Sequence, residues 1–262
     1  MRHKNSDKTT TWVTAWTMIV LVALSLVVIP GQGTAEEFVE PKGVVELFTS
    51  QGCRSCPPAD RAFEQLVREG KVVALSYHVD YWNYLGWADT LATKENTARQ
   101  YAYAKTFGRN GVYTPQAVLN GRDHLKGTDA AEVNRRLDRM KSNGGGLVVP
   151  VKASRHADQL SISIGQGAGK ANVVVVYFRQ IQTVEVLKGE NLGQRLDYWH
   201  SVTDVQTVGM WDGSALDLTL PAKPMGDDQS DGIAVLLQAT DNGGNPSRII
   251  GATAMMSTAN TF

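Results

Sequence analysis

Two cysteines, Cys53 and Cys56, are the residues of this 262-residue chain whose type and spacing most directly suggest chemistry. No other cysteine is present, and only two residues separate them. A disulfide across so short a loop removes little entropy from the unfolded chain, so stability alone is a poor reason for the pair. Thiol–disulfide exchange is a better one: Cys53 would attack a substrate sulfur, and Cys56 would resolve the mixed disulfide.

The pair lies between a predicted strand and a predicted helix. Residues 44–48 are a short apolar run typical of a buried strand, and residues 57–69 repeat apolar side chains at helical spacing. Pro57 and Pro58 suit the first helical turn, where N–H groups have no partner within the helix. A thiolate just outside this turn would have a lowered pKa, because the helix dipole and the unpaired N–H groups stabilise its charge. Arg54 adds a positive charge that acts in the same direction.

The elements that follow are predicted to complete an α/β domain. Residues 71–77 form a nearly continuous apolar run, which favours a parallel strand covered on both faces. An aromatic loop at 78–87 and a helix at 94–107 form an insertion. The sequence then predicts a hairpin with strands at 116–119 and 123–126.

This order of elements, closed by a helix that begins at Asp129, is that of a thioredoxin-like fold over residues 36–143. A Cys-x-x-Cys pair in a strand–helix–strand unit is a redox signal of that fold. Pro115 is then expected to be a cis proline that faces the cysteines, since cis peptide bonds are essentially confined to proline. Thr114 would offer its backbone to an extended substrate, so we predict Thr114 and Pro115 as substrate-binding residues.

His78 and Asp80 follow the second strand, whose end lies at the same sheet edge as the end of the first. Either side chain could accept the proton of Cys56 or shape the cleft, so both join Arg54 as residues predicted to modulate the site. A structural role is the alternative: His78 would bond loop backbone, and Asp80 would cap a turn. The aromatic residues of 81–87 are expected to form a small core beneath the insertion.

Beyond the linker at 143–146, the pattern changes to strands. Residues 144–262 are predicted to be a C-terminal all-β, sandwich-like domain. The expected strands cover 147–153, 159–164, 172–178, 182–187, 195–202, 215–220, 233–240 and 248–254.

Two other functions stay open on the sequence. Cys53, Cys56 and His78 could bind a soft metal, copper or zinc, although no fourth ligand is evident. Alternatively, the pair is a permanent disulfide in a non-catalytic binding module, and the β domain performs recognition. The polar and aromatic stretch 189–200 is a candidate for that role, although a turn followed by a strand with a packed Trp199 is the favoured interpretation.

The N-terminus predicts export. Residues 1–35 combine basic residues, an apolar run at 19–29 and the small residues of 33–35, a pattern typical of a signal peptide. The protein is therefore expected to be periplasmic or secreted, or, if the segment is not cleaved, anchored in the inner membrane facing the periplasm. Its expected partners are exported protein thiols or disulfides and a redox partner. A net charge of zero gives no indication of nucleic-acid binding, and no motif predicts a cofactor.

Several segments resemble one family closely. They are 45–53 (VELFTSQGC), 56–60 (CPPAD), 78–82 (HVDYW), 84–87 (YLGW) and 112–116 (VYTPQ). They resemble the exported bacterial proteins of domain-of-unknown-function family 1223, over about residues 43 to 255. The resemblance implies a thioredoxin-like fold and a redox site at Cys53, Cys56 and Pro115, with no known substrate. The chain differs from thioredoxins proper in the 62 positions between Cys53 and Pro115, which leave room for the insertion.

Overall fold

The computed structural model describes residues 40–156, 158–221, 223 and 230–256. Strands β1 (Val44–Thr49) and β2 (Val73–His78) are buried along their whole length, as their apolar runs predict. They pair in parallel, and helix α1 (Pro57–Glu69) connects them. The predicted strand–helix–strand unit is therefore confirmed. Helix α1 ends at Gly70, whose left-handed conformation (φ 64°) favours glycine.

The insertion and the hairpin also follow the sequence pattern. Helix α2 (Lys94–Thr106) begins after Thr93, whose side chain accepts a hydrogen bond from the backbone N–H of Asn96. Strand β3 (Gln116–Leu119) pairs antiparallel with β1, and β4 (Asp123–Leu125) completes the hairpin. Helix α3 follows Asp129, whose side chain caps it by accepting from the N–H of Ala131. Its bounds are Ala130–Ser142.

The rest of the described chain is built of strands. They are β5 (Val151–His156), β6 (Gln159–Ile164), β7 (Ala171–Glu185), β8 (Arg195–Trp211), β9 (Leu216–Pro221), β10 (Gly232–Thr240) and β11 (Pro246–Met256). The segments 172–178 and 182–187, expected as two strands, lie almost entirely in the single strand β7. They join because β8 pairs with β7 from end to end, with register shifts that absorb the irregular positions.

One mixed sheet of eight strands organises this α/β fold, in the order β11-β10-β7-β8-β2-β1-β3-β4. Strand β8 joins β2 in parallel, with Ser201 opposite Ser76. Strands from both sides of the 143–146 segment therefore belong to the same sheet, and the described residues from 40 to 256 cluster as one compact unit. A smaller sheet has the order β5-β6-β9.

Three apolar cores hold these layers together. One joins α1 and α3 to the sheet through residues such as Leu47, Phe63 and Leu137. Another lies around Phe48 and Tyr103, on the side of the sheet that α2 covers. The third lies between the two sheets. The end of β1 and the start of α1 are thus fixed by packing on both faces of the sheet.

The expected signal peptide or anchor, residues 1–35, lies outside the described residues. No helix in the described part of the chain is long and apolar enough to cross a membrane.

Candidate functional site

Cys53 and Cys56 form a disulfide at the start of α1. Cys56 is the residue that precedes the first helical position, and its carbonyl oxygen accepts hydrogen bonds from the N–H groups of Ala59 and Asp60. The N–H of Cys56 donates to the carbonyl oxygen of Cys53 at 3.1 Å. The pair thus lies at the positive end of the helix dipole, as the sequence predicts.

Both cysteines are buried. Cys53 and Cys56 have an exposed fraction of 0%, whereas Arg54 and Ser55 between them are exposed. An attacking thiol has to be accessible, so this burial differs from what the predicted role of Cys53 as the attacking sulfur requires. A loop from a distant part of the chain contacts the backbone of Gln51, Cys53 and Arg54.

This cover loop, defined as residues 186–194 between β7 and β8, is held to the cysteine motif by two side chains. The amide of Asn191 donates to the carbonyl oxygens of Gln51 (2.9 Å) and Cys53 (3.1 Å), and Asn191 is itself buried. A carboxylate oxygen of Glu190 accepts from the N–H of Arg54 at 3.4 Å. The sequence indicated the 189–200 stretch only as an alternative recognition segment, and only the structure places part of it beside the disulfide.

The loop that carries Thr114 and Pro115 lies on another side of the pair. The hydroxyl of Ser55 donates to the carbonyl oxygen of Thr114 at 3.4 Å, and the Thr114–Pro115 peptide bond is cis, the isomer expected from the sequence. The indole N–H of Trp82 donates to the Thr114 hydroxyl at 2.7 Å. The backbone of Gly52 approaches Trp82 so closely that a Cβ there would lie 3.1 Å from the Trp82 Cβ. The aromatic loop therefore bridges the cysteine loop and the Thr114–Pro115 loop.

His78 lies at the sheet edge where β1 and β2 end, and it is bonded to a carboxylate that the sequence did not indicate. Its Nδ1 lies 2.9 Å from Oδ2 of Asp89, and both side chains are buried. Asp89 also accepts from the N–H of Gln51 at 2.7 Å, which ties the insertion to the cysteine loop. Burial opposes ionisation of Asp89, but the charge and hydrogen bond of His78 and the backbone donors hold its pKa below the ordinary value.

Asp80 does not join this group. Its carboxylate accepts from the hydroxyl of Thr97 on α2 at 2.7 Å, and the same hydroxyl accepts from the N–H of Asp80. Asp80 thus connects the loop after β2 to α2, a structural role that differs from the turn cap considered from the sequence. Arg54 is exposed, and its side chain makes no described contact with the sulfurs.

A second buried carboxyl lies one helical turn after the pair. Asp60 on α1 accepts from the hydroxyl of Thr49 at 2.7 Å. Burial raises the pKa of Asp60 to about 7, against the lowering effects of Thr49 and His78. Tyr198 of β8 packs edge-on against the His78 ring, at 4.4 Å between centroids. We call this set the buried polar cluster: Thr49, Asp60, His78, Asp89 and Tyr198.

Three polar atoms of this cluster have no hydrogen-bond partner. They are Oδ2 of Asp60, Nε2 of His78 and the hydroxyl of Tyr198. Buried polar atoms are nearly always paired, so three unpaired atoms in neighbouring side chains make this cluster a candidate site for proton transfer or for a bound water molecule.

Sequence reasoning missed Asp60 and Asp89, because a single Asp in a helix or a loop carries no spacing signal.

No group of three or more His, Cys, Asp or Glu side chains suited to a metal ion occurs among the described residues. In particular, Nδ1 of His78 is bonded to Asp89. The trio of Cys53, Cys56 and His78 is not assembled there as a ligand set.

A sequence model of the family described as "Protein of unknown function (DUF1223)" matches residues 44–238. The chain is similar in structure to protein AGR_C_4864 from Agrobacterium tumefaciens, with 53% sequence identity, a TM-score of 0.76, and coverage of 85% of this chain and 97% of that one. It is also similar to HBP35 of Porphyromonas gingivalis, with 16% identity, a TM-score of 0.58, and coverage of 84% and 76%, a likeness of fold alone. No curated protein matches the chain. Because the matched residues span most of its length, the chain belongs to the DUF1223 family of proteins of unknown function.

Proposed function

We propose that this protein is an exported thiol–disulfide oxidoreductase that exchanges disulfides with another exported protein through Cys53 and Cys56. The observation that carries the proposal is the disulfide at the N-terminal end of α1, with the Thr114 carbonyl beside it and a buried polar cluster nearby. A helix N-terminus favours the thiolate that exchange requires. A disulfide that only closes a four-residue loop would need neither the helix N-terminus nor the Thr114 carbonyl and buried polar cluster beside it.

The thioredoxin-like assignment of residues 36–143 is part of this proposal. It is supported by the parallel β1–α1–β2 unit, the antiparallel hairpin β3–β4 and the closing helix α3. Residues 144–262 would then be a β-rich, sandwich-like partner that supplies the cover loop. Periplasmic or secreted location rests on the sequence of residues 1–35.

The reaction would begin with a partner thiolate that attacks the sulfur of Cys53. The Cys53–Cys56 bond breaks, its electron pair leaves with the Cys56 sulfur, and a mixed disulfide with the partner forms. In the other direction, the Cys56 thiolate attacks that mixed disulfide and releases the partner's thiolate. Because both cysteines are buried, either step with a protein partner requires a local movement, and we propose that the cover loop, which bonds the Cys53 carbonyl oxygen, is the segment that moves.

The reduction potential of the pair tests the proposal first. The protein would be equilibrated in glutathione buffers, and its free thiols counted. We expect a value above about −230 mV, in the range of known exchange catalysts. A value below about −300 mV is typical of structural disulfides and would exclude an oxidase or isomerase role.

Two cysteine variants test the roles of the sulfurs. Cys53→Ser should abolish exchange, because it removes the attacking sulfur. Cys56→Ser should accumulate mixed disulfides with exported proteins, because the resolving thiol is missing. Both are checked by non-reducing electrophoresis of exported protein after thiol trapping, and equal patterns from the two variants would contradict the assigned roles.

Asn191→Ala is expected to make the disulfide more reactive. It removes two hydrogen bonds worth about 1 kcal/mol each, so the cover loop opens more often and reduction by dithiothreitol accelerates about 30-fold. Leu192→Ala is the matched control, because Leu192 lies in the same loop and is exposed. An unchanged reduction rate in Asn191→Ala would mean that the sulfurs are reached without movement of this loop.

A second candidate function is favoured by the burial of the cysteines. A non-catalytic binding module with a permanent disulfide would need no access to Cys53, and the cover loop would then be a fixed part of its surface. Replacing both cysteines with serine separates the two: a binding module keeps its partner, whereas an oxidoreductase loses all exchange. Copper or zinc binding through the cysteines and His78 lacks an assembled ligand set in the described residues.

A further inference from the structure

We infer that Asp60, rather than His78 or Asp80, is the residue that exchanges a proton with Cys56 when the disulfide opens and closes. This inference rests on the proposed exchange function and assigns a step of it. The juxtaposition that carries it is a buried carboxyl, with one unpartnered oxygen, one helical turn beyond the buried sulfur.

The helix geometry brings the two side chains together. Cys56 has helical backbone angles (φ −77°, ψ −39°), and the N–H of Asp60 donates to its carbonyl oxygen at 3.1 Å. Residues four apart on a helix present their side chains on the same face, with about 5 to 6 Å between Cβ atoms. Asp60 uses only Oδ1 to bond Thr49, so Oδ2 is available.

The two residues proposed from the sequence are engaged elsewhere. Nδ1 of His78 is bonded to Asp89, and the carboxylate of Asp80 is bonded to Thr97 on α2. Nε2 of His78 has no hydrogen-bond partner, and the His78 ring packs against Tyr198 of β8.

The surroundings of Asp60 suit a group that alternates between two protonation states. Burial favours its neutral form, and the charge of Asp89 acts in the same direction. The hydroxyl of Thr49 and the neighbouring His78 and Arg61 side chains favour the ionised form. The opposing effects leave the pKa of Asp60 at about 7, where a general acid or base works best near neutral pH.

The proton balance of the step is simple. When a partner thiolate attacks Cys53, Cys56 leaves with the electron pair of the S–S bond, and the neutral carboxyl of Asp60 protonates it. On closing, the Asp60 carboxylate takes that proton back, the Cys56 thiolate attacks Cys53 of the mixed disulfide, and the partner leaves as a thiolate. Opening therefore leaves an ionised Asp60 and a neutral Cys56 thiol, and closing restores the neutral carboxyl, so the buried site never holds an unprotonated Cys56 beside an ionised Asp60 at the end of a step.

The test is the pH profile of the closing step during reoxidation by oxidised glutathione, followed as the release of reduced glutathione from the mixed disulfide with Cys53, because the preceding attack by Cys53 has a pH dependence of its own. In the wild type, the rate should rise through pH 7 as Asp60 ionises. In Asp60→Asn, this rise should disappear, and the rate at pH 7.5 should fall about 100-fold, the usual loss when a general base is removed. Asn can still accept from Thr49, which preserves the packing, and circular dichroism checks the fold. Asp80→Asn is the matched control and should keep the wild-type profile.

Three outcomes are decisive. Loss of the rise near pH 7 in Asp60→Asn alone supports the inference. An Asp60→Asn profile that matches the wild type overturns the inference while leaving the proposed function intact. A wild type that never reacts with glutathione and forms no mixed disulfide overturns the proposed function, and the inference with it.

Infrared titration tests the inference independently of exchange. The wild-type disulfide form should show a carboxyl that ionises near pH 7, and Asp60→Asn should lack it. If the wild type shows no such carboxyl, the inference is overturned.

Discussion

Asp89→Ala is expected to destabilise the protein by about 3 to 5 kcal/mol at pH 7, because it leaves three buried or part-buried donors without their acceptor and each such loss costs about 1 to 3 kcal/mol. Asp89 accepts from His78, from the N–H of Gln51 and from the N–H of Leu91. Its loss leaves a buried imidazole and two backbone donors without an acceptor. The same bonds tie the insertion to the cysteine loop, so the damage falls on the candidate site as well as on the fold.

Urea denaturation of the disulfide form measures this effect. Asp217→Ala is a suitable control, since Asp217 is an exposed residue of β9, and surface changes of this kind usually alter stability by less than about 0.5 kcal/mol. A loss below about 1 kcal/mol for Asp89→Ala would show that the pair adds little to folding.

The contribution of Asp89 also has a defined pH dependence. Because its pKa is lowered in the folded protein, the stabilisation is fully present above the ordinary Asp pKa of about 3.9 and is lost as pH falls through the folded value. The difference in unfolding free energy between wild type and Asp89→Ala should therefore shrink below pH 4. An unchanged difference down to pH 3 would contradict the ionised Asp89.

Arg99→Ala is expected to have an effect of similar size, about 3 to 5 kcal/mol, on the other face of the sheet. Arg99 of α2 pairs with the fully buried Glu46 of β1 at 2.7 Å and donates to Gln238 of β10 at 2.8 Å. Without Arg99, the Glu46 carboxylate is left in the core with the Tyr103 hydroxyl as its remaining described hydrogen-bond partner. An unpaired buried charge is among the most destabilising changes in a protein core.

A double variant separates the loss of the charge pair from the loss of packing. Glu46→Gln combined with Arg99→Ala removes the unpaired charge, so it should be more stable than Arg99→Ala alone. Lys105→Ala is the control in the same helix, because Lys105 is exposed. The free energy of unfolding of each variant would be measured in urea, and a double variant less stable than Arg99→Ala would contradict the buried-charge explanation.

Local patterns in the sequence determined much of the region around the cysteines. The two apolar runs, Pro57 after the pair and Gly70 at the helix end predict the β1–α1–β2 unit, and the structure has it. The hairpin and the Asp129 cap likewise follow from turn and capping signals that act over a few residues. The sequence also identified Cys53 and Cys56 as a close pair, and the structure joins them in a disulfide.

Tertiary structure alone decided what surrounds the pair. Asn191 reaches Cys53 across 138 positions, and Asp89 meets His78 because an insertion folds back over the sheet edge. Periodicity shows which face of an element is apolar, but it does not show which distant element will cover that face. The burial of both sulfurs and the raised pKa of Asp60 are consequences of that long-range packing, because desolvation depends on every neighbouring element at once.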